Sequence, residues 1–164
     1  MRFNKLIAVA LVALTVSVLG SCRGHQTVAD SYANYQFPTT CVNVSPTGSL
    51  TVRSWGSGHN KATAIEDAKR KALNELIFSG IKGSNNPLCK ALVTEVNARE
   101  RYAEYFDRFF ANGGEYRKFV KETSATDDSR VKAKNNGRES YGVTLDIDRS
   151  ALRSQLVKDG LLSK

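Results

Sequence analysis

Ala64, Ala68, Ala72 and Leu76 recur every four residues. Helical residues four apart share a face, so this spacing predicts a helix over 61–79 carrying a row of small side chains. Ile65, Leu73 and Ile77 widen the row into an apolar stripe. Alanine leaves that face almost flat, so the helix is expected to lie close against a sheet. Few folds meet that requirement. Just upstream, Leu50-Thr51-Val52-Arg53 alternates apolar and polar residues, as a half-buried strand does. Ser54-Trp55-Gly56-Ser57-Gly58 reads as the turn into the helix. Thr63 and Glu66 have capping-box spacing, with Asn60 as the alternative cap. Glu66–Arg70 and Asp67–Lys71 are acid-first pairs four apart on the polar face, and Gly80 is the stop.

The rest of the chain supplies more of both element types. Residues 84–87 form a loop, and 88–93 fits either a helical turn or a short apolar loop. A second helix is expected over 98–111, where Tyr102, Tyr105, Phe106, Phe109 and Phe110 make an aromatic stripe before Gly113-Gly114. Helical spacing accounts for that stripe as core packing; an aromatic ligand cleft is the alternative. A strand follows over 116–123, helical in its first turn, with a break at 125–128 and an extended continuation at 130–134. Asn136-Gly137 suits a hairpin turn. On the return strand Tyr141, Val143, Leu145 and Ile147 share one face. Asp148 caps a last helix over 149–159, and Gly160 with Leu161 closes it. The expected fold is α+β: a small, mainly antiparallel three-stranded sheet with helices on one face, in the order β-α-α-β-β-α.

The N-terminus has a different character. Arg2 and Lys5 precede residues 6–19, which are apolar apart from Thr15 and Ser17. Fourteen residues span ~21 Å as a helix, short of the ~30 Å hydrocarbon core of a bilayer. This is the pattern of a secretory signal peptide. Its ending, Leu19-Gly20-Ser21-Cys22, resembles the lipobox of bacterial lipoproteins. That resemblance implies cleavage after residue 21, lipidation of Cys22 and attachment of the chain to a membrane. With Arg23 next and no acidic run behind it, the expected location is the outer membrane, facing the periplasm. The expected organisation is a signal peptide over 1–21, a tether or irregular arm over 22–48 that becomes irregular or extended near 37–44, and one α+β domain over 49–164.

Export changes how charge and thiols are read. Removing Arg2 and Lys5 from the 24 basic residues leaves 22 against 16 acidic ones, a net +6. Nucleic acid is not expected as a partner outside the cytoplasm; envelope proteins and anionic head groups are. Three cysteines are present. With Cys22 carrying lipid, Cys41 and Cys89 remain as an even pair in an oxidising compartment. They form either a disulfide or two separate buried thiols, and parity favours the bridge. Arg130, Lys132 and Lys134 recur at period two, and Arg138 follows in the turn. These four are the candidate contact to an anionic partner, a solvated strand edge being the ordinary explanation.

Catalytic patterns are missing from the sequence. His25 and His59 are the only histidines, and His25 lies in the tether. There is no Gly-x-Ser-x-Gly elbow, and Ser57 beside His59 in sequence does not make a nucleophile–base pair. Asp127-Asp128 and Asp146-x-Asp148 lack the remaining ligands of a calcium loop. Free N–H groups at Gly56-Ser57-Gly58 before the helix could hold an anion, but a tight strand-to-helix turn explains the glycines as well. No cofactor and no metal are expected. The strand, Gly56-x-Gly58 and the alanine-rich helix together resemble the N-terminal domain of the flagellar FlgT protein and the small Lpp20-like and FlgP-like outer-membrane lipoproteins. The likeness covers residues 50–80 directly and the hairpin with its last helix in topology. It implies an envelope-associated accessory protein without catalysis. The leading expectation is therefore a membrane-tethered, non-enzymatic domain that binds envelope proteins through its sheet or its aromatic helix. The alternative is a binding module for an anionic glycolipid or polymer, using the basic ladder; an envelope hydrolase ranks last.

Overall fold

The computed structural model describes residues 37–124, 130–132 and 139–163. The strands are β1 (Thr40–Val44), β2 (Ser49–Gly58), β3 (Val120–Ser124), β4 (Arg130–Lys132) and β5 (Glu139–Asp148). The helices are α1 (Lys61–Phe78), α2 (Ala98–Arg101), α3 (Ala103–Phe109) and α4 (Arg149–Lys158), with single 3-10 turns at Pro87–Cys89 and Glu115–Lys118. The chain is α+β with an antiparallel sheet. Its five strands fill four positions, in the order β1-β2-β5-β3, with β4 also paired to β5. β2 runs the whole length of β5, from Ser49 opposite Asp148 to Gly58 opposite Glu139. On the far side of β5, β3 takes 144–147 and β4 takes 139–141.

Four positions replace the three expected, because β1 belongs to the sheet rather than to a tether. Thr40 pairs with Arg53 and Val44 with Leu50, with a register shift between Cys41 and Asn43. The shift leaves Val42 60% exposed, so no apolar alternation marks the strand. A second correction concerns 54–58. This stretch is the end of β2, and the turn is confined to His59 and Asn60. Gly56 and Gly58 lie on the face of β2 that meets α1. A Cβ on Gly56 would stand 2.9 Å from Ala68 Cα and overlap the Ala64 carbonyl, and one on Gly58 would stand 2.6 Å from the Ala64 nitrogen. The glycines and the alanine row are thus two sides of one close contact.

The core forms between that face of the sheet and the helices. Leu50 and Val52 of β2 and Val143, Leu145 and Ile147 of β5 meet Ala68, Ala72, Leu73, Leu76 and Ile77 of α1. Leu152 and Leu156 of α4 and Phe106 and Phe109 of α3 join the same cluster. Each buried Leu or Phe side chain contributes roughly 1.5–3 kcal/mol. Both long helices start from side-chain caps: α4 from Asp148 as the sequence predicts, and α1 from the alternative cap Asn60, with Thr63 and not Glu66 completing the box. Asn60 Oδ1 accepts from the Thr63 N–H at 2.9 Å, and Thr63 Oγ1 accepts from the Asn60 N–H at 3.2 Å. Asp148 Oδ1 accepts from the Ala151 N–H at 2.9 Å. α1 stops before Gly80, whose N–H donates to the Glu75 carbonyl at 2.7 Å and whose φ of +75° turns the chain away from the helix. The Leu161 N–H closes α4 on the Leu156 carbonyl at 2.9 Å.

The aromatic helix is two helices. Tyr102, at φ −110° and ψ 29°, separates α2 from α3. The apolar spacing continues across the break, so periodicity alone could not locate it. The ambiguous 88–93 segment resolves into the Pro87–Cys89 turn and an irregular stretch. There the Leu92 and Val93 N–H groups donate to the Leu76 and Ile77 carbonyls at 3.0 and 2.8 Å.

Candidate functional site

The structure describes some of the residues singled out from sequence and not others. Cys22, Lys134 and Arg138 lie outside the described residues, as do the expected break at 125–128 and the Asn136-Gly137 turn. Arg130 and Lys132 stand in β4 opposite Tyr141 and Glu139, with Val131 opposite Ser140, so the two basic residues hold alternate register positions. Cys41 and Cys89 come together, their sulfurs 3.0 Å apart. Cys41 is half-buried and Cys89 is buried.

A concavity among the described residues lies between α1 and α2–α3. It is a groove of about 550 Å³. Phe78, Phe106 and Phe110 make its apolar floor, and Ala103 keeps it open. Phe78 meets Phe106 edge-on at 4.7 Å, and Phe106 stacks on Phe110 at 6.3 Å. Charged groups of both signs make the rim: Asp67, Arg70, Lys71, Arg99, Glu100 and Asp107. The Arg99 guanidinium sits 5.8 Å from the Phe78 ring centroid, so one rim cation leans on the floor. Arg70 donates to Asn112 Oδ1 at 2.5 Å and packs over the Tyr116 ring at 5.5 Å. Lys71 Nζ donates to the Phe37 carbonyl at 2.8 Å, and burial lowers its pKa. Such a site offers apolar contact flanked by charge of either sign, which suits a protein segment better than a compact anion.

Sequence spacing paired Glu66 with Arg70. Instead, Glu66 is the hub of a cluster tying α1 to the turn before β3. It accepts from Tyr116 Oη at 2.6 Å, Arg117 Nε at 2.8 Å and Lys69 Nζ at 2.9 Å. Burial alone would raise its pKa. The Tyr116 hydrogen bond, Lys69 and the Arg117 guanidinium outweigh burial and hold the carboxyl at about 2. Lys69 is three residues away, but Tyr116 and Arg117 are 50 and 51 away in sequence, where no local pattern reaches. On the opposite flank of α3, Tyr105 Oη donates to Asp159 Oδ2 at 2.7 Å, and burial together with that carboxylate raises the Tyr105 pKa.

The chemistry weighed at Gly56-Ser57-Gly58 is answered by a neighbour. The Ser57 N–H donates to Asp67 Oδ2 at 2.8 Å, so a carboxylate of α1 already occupies the position an anion would take. Ser57 is buried and His59 is exposed. Among the described residues no three His, Cys, Asp or Glu side chains converge as metal ligands, and no helix is long and apolar enough to cross a membrane. No protein-family model matches the chain, and no curated protein and no solved structure is matched by it.

Proposed function

We propose that this protein is a lipid-anchored envelope lipoprotein whose folded domain is a non-catalytic interaction module for other envelope proteins. The observation that carries the reading is the N-terminal sequence: a basic start, a fourteen-residue apolar stretch and Leu19-Gly20-Ser21-Cys22. Lipidation of Cys22 provides the membrane attachment, and the expected location is the periplasmic face of the outer membrane. Two acyl chains or more hold a protein stably in a bilayer, which a single chain does not. The resemblance of residues 50–80 to Lpp20-like and FlgP-like outer-membrane lipoproteins is in keeping with an accessory role and implies no flagellum. The groove between α1 and α3, with its phenylalanine floor and mixed-charge rim, is the surface we assign to the partner.

The test is Cys22→Ser in cells fed a labelled fatty acid. The wild-type protein is expected to take up label and sediment with membranes. The variant is expected to lose the label and appear in the soluble fraction. Label retained by the variant would place the acyl group elsewhere and refute the anchor.

A further inference from the structure

We propose that Cys41 and Cys89 join in a disulfide that clamps the first strand of the sheet to the turn after α1. The pairing stands on geometry and does not depend on the lipid anchor; export contributes only the oxidising compartment. Cys41 lies in β1, opposite Val52, and Cys89 closes the Pro87–Cys89 turn. Their sulfurs are 3.0 Å apart, closer than unbonded sulfurs ordinarily approach. The Cys89 side is fixed before any bond forms. Its carbonyl accepts from the Ile81 N–H at 2.8 Å, its N–H donates to the Asn86 carbonyl at 2.9 Å, and the residue is 1% exposed. A metal shared by the two thiols would need further ligands, and no third His, Cys, Asp or Glu gathers there among the described residues.

The clamp has a clear object. β1 is an edge strand whose residues are exposed or half-buried throughout. Its attachments are the ladder to β2, the buried Thr39–Ser54 hydroxyl pair at 3.1 Å and the apolar packing of Cys41 and Val44. Any pull on residues before 37 meets the Phe37 contacts with Trp55 and Lys71 first and this strand next. A bond from Cys41 to the α1 side transfers that load to the core. The two cysteines are 48 apart in sequence, so the bridge also removes loop entropy from the unfolded chain. In the chain-entropy treatment this shifts the folding equilibrium about a thousandfold.

The oxidant is a disulfide, either a low-molecular-weight one or a thiol oxidoreductase. The Cys41 thiolate attacks one sulfur of the oxidant and releases the first thiol. Cys89 then loses its proton and attacks the Cys41 sulfur, expelling the second. The protein gives up two protons and two electrons, and the oxidant's disulfide is reduced to two thiols. Burial, with Cys89 alongside and only the Ser84 hydroxyl acting against it, pushes the Cys41 thiol up to about 11. Thiolate is therefore scarce near neutrality, and exchange in the folded state accelerates as pH rises.

The experiment uses the full chain purified with its thiols reduced, then exposed to oxidised glutathione, quenched with an alkylating reagent and mapped by peptide mass. Expected are a linked Cys41–Cys89 peptide, neither sulfur alkylated, and a higher urea midpoint that reductant reverses. Cys89→Ser should show no midpoint change with reductant; if that variant does not fold, wild type with and without reductant carries the comparison. Alkylation of both thiols, glutathione left on Cys41, or a bridge that leaves the midpoint unmoved would each overturn the proposal. The same map reads Cys22 separately, so failure of the lipid anchor is not mistaken for failure of the clamp.

Discussion

Replacing Gly56 with alanine is a one-carbon change with a large expected cost. The new Cβ would point from β2 into the backbone of α1. It would overlap the Ala64 carbonyl oxygen and the Ala68 nitrogen and stand 2.9 Å from Ala68 Cα. Carbon atoms in good contact are ~3.5–4.0 Å apart, so α1 would have to lift by about 1 Å. Backbone atoms cannot rotate aside as a side-chain tip can. Lifting the helix loosens Ala68, Ala72, Leu73, Leu76 and Ile77, all fully buried, from the sheet at once. A gap of that size forfeits a quarter to a half of each dispersion contact. Overpacking typically costs ~1–3 kcal/mol, and an unyielding neighbour puts this site at the top of that range. Alanine's lower unfolded-state entropy returns about 0.4–1 kcal/mol where its conformation is allowed. A net loss of about 2–2.6 kcal/mol is expected, which at an m-value near 1.5 kcal/mol/M lowers the urea midpoint by roughly 1.3–1.7 M. Gly83→Ala is the control: no atom lies within 4 Å of its Cβ, and its φ of +79° costs only ~1–2 kcal/mol of backbone strain. The assay is urea unfolding of both variants followed by circular dichroism. If Gly56→Ala loses less than Gly83→Ala, the close helix–sheet contact is not what requires glycine.

Two further outcomes follow from the described contacts. The Glu66 pKa is lowered from 4.5 to about 2, so its contribution is present above the unfolded value and fades as pH falls from about 4.5 toward 2. The full shift corresponds to ~3 kcal/mol, and with Arg117 half exposed solvent screening reduces this to about 1–2 kcal/mol. Glu66→Gln should therefore be less stable than wild type by that amount at pH 7 and equal to it near pH 2 by urea unfolding; a gap that persists at pH 2 would mean the loss is not electrostatic. Ala103→Arg places a long side chain in the groove from an exposed position, so stability should move by less than about 1 kcal/mol. In-cell cross-linking of a tagged protein should lose its partner bands; bands that persist would move the interface away from α1 and α3.

Legibility from sequence followed the range over which each signal acts. The face of β5 carrying Val143, Leu145 and Ile147, the cap at Asp148 and the closing Leu161 were readable because strand alternation and helix ends are written within a few residues. The α1 stripe was readable for the same reason. Gly56 and Gly58 were read as a turn because glycine signals both a bend and a close approach, and only the position of Ala64 and Ala68 separates the two. β1 was missed as a strand because an exposed edge with a register shift needs no alternating pattern. The Glu66 cluster and the groove depend on residues far apart in sequence, and a lone chain holds no local trace of either. Aromatic spacing at Phe106 and Phe109 correctly implied core packing, while giving no sign of the break at Tyr102.

The way the arm meets the domain sets a length scale. Phe37 stacks on Trp55 at 4.4 Å, and its carbonyl is held by Lys71. The proposed anchor point, Cys22, and the first described residue, Phe37, are therefore fifteen residues apart in sequence. Whatever its conformation, a chain of fifteen residues spans at most ~50 Å. The domain would patrol a shell no deeper than that above the bilayer. A partner rooted in the same membrane meets it at a high local concentration, whereas one fixed farther than the stretched leash and the domain can reach is beyond capture.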